Sequence, residues 1–145
     1  MYARRFAFAA LLAAGALTVG ACGMMGMGDS MNSAMTVSLS AKDEVPPNAS
    51  TGSGSARVEL DGNVLKWTVT YSGLTGPVTA GHFHGPAMPG ANAAIVAPFL
   101  GPLTSPITGF KALTAAEVEQ VKGGLWYVNL HTAANPGGEI RGQVK

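Results

Sequence analysis

The chain has 145 residues, with nine Lys and Arg against eight Asp and Glu, a formal net charge of +1, 20 glycines, nine prolines and one cysteine. So even a balance excludes the basic surface that a nucleic-acid partner needs. A single cysteine excludes an internal disulfide, so a hydrophobic core must hold the fold.

Arg4 and Arg5 precede an apolar run from Phe6 to Val19 that carries no further charge, the layout of a secretory signal peptide. The run falls short of the about 20 apolar residues that span a bilayer, and a Gly/Ser/Asn-rich stretch follows it in place of a stop-transfer pattern. It ends in Val19-Gly20-Ala21-Cys22, which resembles the lipobox of bacterial lipoproteins, where small residues precede a cysteine that is acylated and becomes the new N-terminus. The resemblance implies an exported protein held to a membrane through a lipid on Cys22. With Gly23 rather than Asp after that cysteine, the outer membrane is the expected destination in a diderm host. Cleavage before Cys22 removes 21 of the 145 residues, Arg4 and Arg5 among them, and leaves 124 in which seven basic residues face eight acidic ones. That is enough chain for one domain and not for two.

From Gly23 to Ala34 the Gly, Met, Ser, Asp and Asn residues show no period, which predicts a flexible tether over 22–34. Its Met24, Met25, Met27 and Met31 carry soft thioethers suited to Cu(I), although such a stretch is more often only a linker. The folded domain is expected over 35–145. Met35, Val37 and Leu39 alternate with Thr36, Ser38 and Ser40 as a half-buried strand does. Lys42 to Ser55, with Pro46, Pro47 and two glycines, reads as a loop. Ala56, Val58 and Leu60 then alternate with polar residues, Asp61-Gly62-Asn63 turns the chain, and Leu65, Trp67, Val69 and Tyr71 alternate again, a strong hairpin signal. Val78 to His84 predicts another strand, Ala94 to Leu100 a short apolar run, and Pro98 to Gly109 a long surface connection. Thr114-Ala-Ala-Glu117 matches a capping box that opens one short helix, with Val118 and Val121 on one face and Gly123 past its end. Leu125 to His131 and Glu139 to Lys145 read as two strands joined by Thr132 to Gly138. The sum is an all-β fold, an antiparallel β-sandwich or barrel with one short helix.

Four segments in order, Leu39-Ser-Ala-Lys-Asp-Glu44-Val-Pro-Pro47, Gly81-His-Phe-His-Gly-Pro86, Leu125-Trp-Tyr-Val-Asn-Leu-His-Thr132 and Asn135-Pro-Gly-Gly-Glu-Ile-Arg-Gly142, resemble those of the chordin-type (CHRD) domain family. They run from Leu39 almost to the C-terminus. Gly81 stands where the family often has Ala, and Phe83 where it often has an aliphatic residue. The resemblance implies a β-rich extracytoplasmic module and little about activity, since a fold does not fix a function.

All three histidines of the chain, His82, His84 and His131, lie inside these segments. His82 and His84 are two apart, so on a strand both imidazoles leave one face while Phe83 points to the other. His131 belongs to a second strand and shares a face with Leu125, Tyr127 and Asn129. Three imidazoles suit copper or zinc. The same rings could instead hydrogen-bond loop carbonyls and pin a turn. Glu139 is the candidate carboxylate, as a fourth ligand or as a group that orients a histidine, with a cross-strand ion pair to Arg141 as its other reading. Because ligation needs neutral imidazoles of ordinary pKa about 6.5, binding is expected to fail below about pH 6. Glu44 is expected to bond backbone amides of its own loop. Trp67 and Trp126 could line a carbohydrate or protein surface, but strand aromatics more often fill a core.

Nucleophile-elbow, phosphate-loop and nucleotide-binding motifs are absent from the sequence. Two functions remain. One is a non-catalytic, lipid-anchored module that binds an envelope protein, a matrix component or a metal ion. The other is a metalloenzyme resembling copper/zinc superoxide dismutase, which needs more ligands than three histidines and one acid. The first is preferred.

Overall fold

A computed structural model describes residues 32–145 of the chain. The signal segment, Cys22 and tether residues 22–31, with all four of the tether methionines, lie outside the described residues. Eight strands and one helix follow in order: β1 (Asn32–Ser40), β2 (Ser53–Asp61), β3 (Val64–Ser72), β4 (Val78–His84), β5 (Ile95–Pro98), β6 (Ile107–Ala112), α1 (Ala115–Lys122), β7 (Trp126–Thr132) and β8 (Ile140–Val144). They form one antiparallel sheet in the order β5-β4-β7-β8-β1-β2-β3-β6. The sheet curls until its two halves share a core. Trp67 of β3 meets Phe83 of β4 edge to face at 5.2 Å and stacks on Phe99 at 5.3 Å. This nearly closed sheet with a single short helix is the all-β architecture that the alternating runs imply. No helix among the described residues is long and apolar enough to cross a membrane.

The period-2 patterns place the side chains as expected. Ala56, Val58 and Leu60 of β2 and Leu65, Trp67 and Val69 of β3 point inward and are buried, while Arg57, Glu59 and Lys66 lie between them on the other face. Asp61 pairs with Val64 across a two-residue turn in which Gly62 takes φ 60, a left-handed conformation that glycine adopts without a Cβ penalty. β1 starts three residues before the alternation from Met35, because Asn32 already pairs with Asp61 and the ladder runs unbroken to Ser40 opposite Ser53.

β6 is the element absent from the sequence reading, which treated Pro98 to Gly109 as one long connection. It pairs with β3 from Val64 opposite Ala112 to Val69 opposite Ile107. Its inward face carries Gly109, where a Cβ would fall 2.4 Å from the Trp67 ring, while the large Phe110 points outward and is 76% exposed. With Ile107 as its one large inward apolar residue, the strand's usual apolar signal is weakened. The helix is as expected: Thr114 Oγ1 accepts from the Glu117 N–H at 3.2 Å and Glu117 Oε2 accepts from the Thr114 N–H at 2.8 Å. Trp126 and Trp67 are core residues, and the Trp126 indole N–H donates to Gln120 of the helix at 2.9 Å.

The element that positions the site is β7, every residue of which is buried. Trp126, Val128 and Leu130 face the core. Tyr127, Asn129 and His131 leave by the opposite face, which is roofed by the connections that follow β1, β4 and β7. Asn92 donates to the Val45 carbonyl at 3.0 Å, and Asn48 donates to the Gly138 carbonyl at 3.2 Å and the Glu139 carbonyl at 3.0 Å. A polar layer is thereby held between sheet and loops.

Candidate functional site

β4 and β7 lie side by side with His82 opposite Asn129, His84 opposite Tyr127 and Ala80 opposite His131. Because side chains alternate, His82, His84, Asn129 and His131 rise from the same face of two neighbouring strands. Each histidine offers one ring nitrogen, and the three nitrogens lie within 4.8 Å of one another. The His82 ring is 4.9 Å from that of His131 and 5.4 Å from that of His84, nearly perpendicular to the latter. Among the described residues this is the one group of three or more His, Cys, Asp or Glu side chains close enough to share an ion.

Backbone carbonyls orient two of the rings. His84 Nδ1–H donates to the Ala93 carbonyl at 2.9 Å and His131 Nδ1–H donates to the Pro136 carbonyl at 3.0 Å. A carbonyl can only accept, so each ring keeps its proton on Nδ1 and, when neutral, turns an Nε2 lone pair inward. That is how a metal-binding histidine is commonly oriented. His82 Nδ1 lies 3.1 Å from His131 Nε2. Tyr127 fixes His84 further: the rings stack at 4.8 Å and 3°. The Arg141 guanidinium covers Tyr127 at 3.4 Å from the β8 side, while donating to Asn92 Oδ1 at 3.0 Å and the Ala91 carbonyl at 2.7 Å.

Burial favours the neutral form of His82 and His84. Desolvation, with the charges of His131 and His84, lowers His82 to about 4. Desolvation also lowers His84, against the hydrogen bonds that the charged ring donates to the Ala93 and Asn129 oxygens, which raise it. Proton competition at these two rings therefore sets in at lower pH than at an unperturbed imidazole.

The sequence profile of the CHRD domain family matches residues 35–144. The chain belongs to the CHRD domain family. It is thus a binding module of the extracellular type. Neither a curated protein nor a solved structure matches it.

Within this CHRD domain the three histidines expected at the site are brought together, and Glu139 is not among them. It is fully buried, but none of its hydrogen bonds reaches an imidazole. Oε1 accepts from Ser50 Oγ at 2.6 Å and from the Thr75 N–H at 2.8 Å, and Oε2 accepts from Thr75 Oγ1 at 2.7 Å and Thr132 Oγ1 at 2.5 Å. Burial alone would raise its pKa, but these hydrogen bonds outweigh burial and hold it at about 2. A carboxylate so fully occupied is neither a ligand nor an ion-pair partner of Arg141, which is engaged elsewhere. Glu139 anchors the connection between β7 and β8, including Pro136 whose carbonyl orients His131.

Glu44 bonds a backbone amide of its own loop, that of Val45, as expected, yet it is also strongly perturbed. Burial pushes its carboxyl up to about 7, against the Arg141 charge and hydrogen bonds from Asn129 and the Val45 backbone that pull it down, and among the described residues its Oε1 has no partner. It lies under Gly138, where a Cβ would fall within 3 Å of both carboxyl oxygens and φ is 128. Sequence reasoning did not single out Asn129 as a site residue. The signals were its parity with His131 and a place opposite His82, which only the β4–β7 register reveals.

Proposed function

We propose that this CHRD domain binds one divalent copper or zinc ion through His82, His84 and His131, as a non-catalytic module tethered to the cell envelope by a lipid on Cys22. The observation that carries the reading is the pair of carbonyl-held Nδ1 protons on His84 and His131, which leave two Nε2 lone pairs turned inward, with the three ring nitrogens within 4.8 Å of one another. Histidines that only pinned loops would need one such bond each and no convergence of their free nitrogens. Imidazole suits both metals. One cluster of three rings supplies one ion, whereas a dismutase-like centre must hold two.

Calorimetric titration of the full-length protein in detergent with Cu(II) and Zn(II) tests the metal. Saturable one-to-one binding tighter than roughly 10 μM, about −7 kcal/mol, is expected, with loss in His84→Ala and His131→Ala. Equal heats in wild type and both variants would leave the rings a structural role. The anchor is tested by fractionating cells that express Cys22→Ser. The variant should leave the membrane pellet, and undiminished retention there contradicts it, since the acyl chains contribute about 0.8 kcal/mol per buried methylene.

A further inference from the structure

Resting on that reading, we propose that the Asn129 side-chain oxygen is the fourth ligand, completing a neutral three-nitrogen, one-oxygen set for a divalent ion. Asn129 stands between the rings: its Oδ1 is 3.1 Å from His84 Nε2 and 3.0 Å from His131 Nε2, and the residue is 3% exposed. Both imidazoles carry their proton on the far nitrogen, so an amide oxygen and two ring lone pairs meet with no hydrogen between them. Three acceptors in contact at hydrogen-bond distance and shielded from water repel one another. A cation at their centre turns the repulsion into coordination.

The spacing fits. Zinc bonds of about 2.0–2.1 Å in a tetrahedron place neighbouring ligand atoms about 3.3–3.4 Å apart, so the observed separations of 3.0 and 3.1 Å need to open by only a few tenths of an ångström. His82 Nδ1, 3.1 Å from His131 Nε2, supplies the third nitrogen. The donor set also selects the ion. An amide oxygen is a hard ligand and none of the four donors is sulfur, which disfavours Cu(I) and favours zinc or Cu(II). All four donors are uncharged, so the ion keeps its two positive charges and can attract an anionic group.

If Asn129 is purely structural, its amide N–H bonds the Glu44 carboxyl and Oδ1 only borders the rings; if it is a ligand, Oδ1 also holds the ion. Asn129→Asp separates the two arrangements, since it keeps the oxygen and removes the donors. Full-length protein in detergent is titrated with Co(II), as a spectroscopic substitute for zinc, and with Zn(II) in competition. Wild type should show the intense visible bands of four-coordinate Co(II). Asn129→Leu should lose these bands and at least tenfold in Zn(II) affinity, and Asn129→Asp should keep four-coordination, shift the bands and bind Zn(II) at least tenfold more tightly. If His84→Ala abolishes binding while both Asn129 variants match wild type in affinity and spectrum, Asn129 is no ligand and the histidine reading stands alone. If Asn129→Leu does not fold, Asn129→Asp decides: a loss of stability with unchanged affinity and spectrum overturns the assignment. If wild type binds neither ion, the histidine reading fails and this one with it.

Discussion

Two polar clusters flank the end of β7, and they are built on opposite principles. Around Glu139 every group is matched: one buried carboxylate receives four hydrogen bonds from Ser50, Thr75 and Thr132. Around His131 the outer ring nitrogens are matched by the Pro136 and Ala93 carbonyls, but on the inner side the His84 and His131 Nε2 lone pairs meet the Asn129 oxygen with no proton between ring and amide. Buried polar groups are ordinarily satisfied. A satisfied cluster stabilises the fold and has nothing left for a ligand, whereas an unsatisfied one costs stability and is ready for a ligand. The contrast explains why the acid that looked like a ligand in the sequence is structural, and why an amide that drew no notice sits at the centre of the histidines.

The largest effect expected from this contrast is on stability. Glu139→Ala strands donors on Ser50, Thr75 and Thr132, and should lower the unfolding free energy by about 3 kcal/mol or more, at about 1–3 kcal/mol for each stranded buried group. His84→Ala should cost less than half as much while abolishing metal binding. Urea unfolding of the apo-proteins compares them, and equal losses would erase the distinction between the clusters.

Acid should separate them next. Glu139 is held at about 2 against 4.5 for the free side chain, so it contributes stability above pH 4.5 that is lost as pH falls toward 2. His82 has the opposite charge type and a lowered value of about 4 against 6.5. The unfolded chain takes up that proton first, so stability also declines as pH falls from 6.5 to 4. Glu139→Gln should flatten the lower window alone, and His82→Ala should weaken the slope in the upper one. Chemical unfolding at half-unit pH steps reads both, and a Glu139→Gln profile that parallels wild type below pH 4.5 would refute the first assignment.

The smallest effect is a titration shift. His82 should titrate near 4 by NMR in the apo-protein and move upward in His131→Ala, because a neighbouring imidazolium charge contributes to its lowering. A midpoint at 6.5 in wild type would mean that the ring is solvated.

Much of the fold was legible because inward residues alternate with polar ones in β1, β2 and β3, and because Thr114 and Glu117 cap the helix reciprocally. β6 was hidden since, of its inward positions, only Ile107 is a large apolar residue, Gly109 being kept small by the Trp67 ring lying against it and Lys111 being charged. The histidines were legible by parity within β4. Asn129 needed the register between β4 and β7, and the role of Glu139 depends on Ser50 and Thr75, which are 89 and 64 residues away in the chain. No local pattern announces such partners.

X-ray absorption at the zinc edge of the stoichiometrically loaded, full-length protein tests the central claim most directly. The account predicts four nitrogen or oxygen neighbours at about 2.0–2.1 Å with the outer-shell scattering of three imidazoles, and a first shell free of sulfur at about 2.3 Å. Fewer than two imidazoles, or a sulfur neighbour at the longer distance, would contradict it.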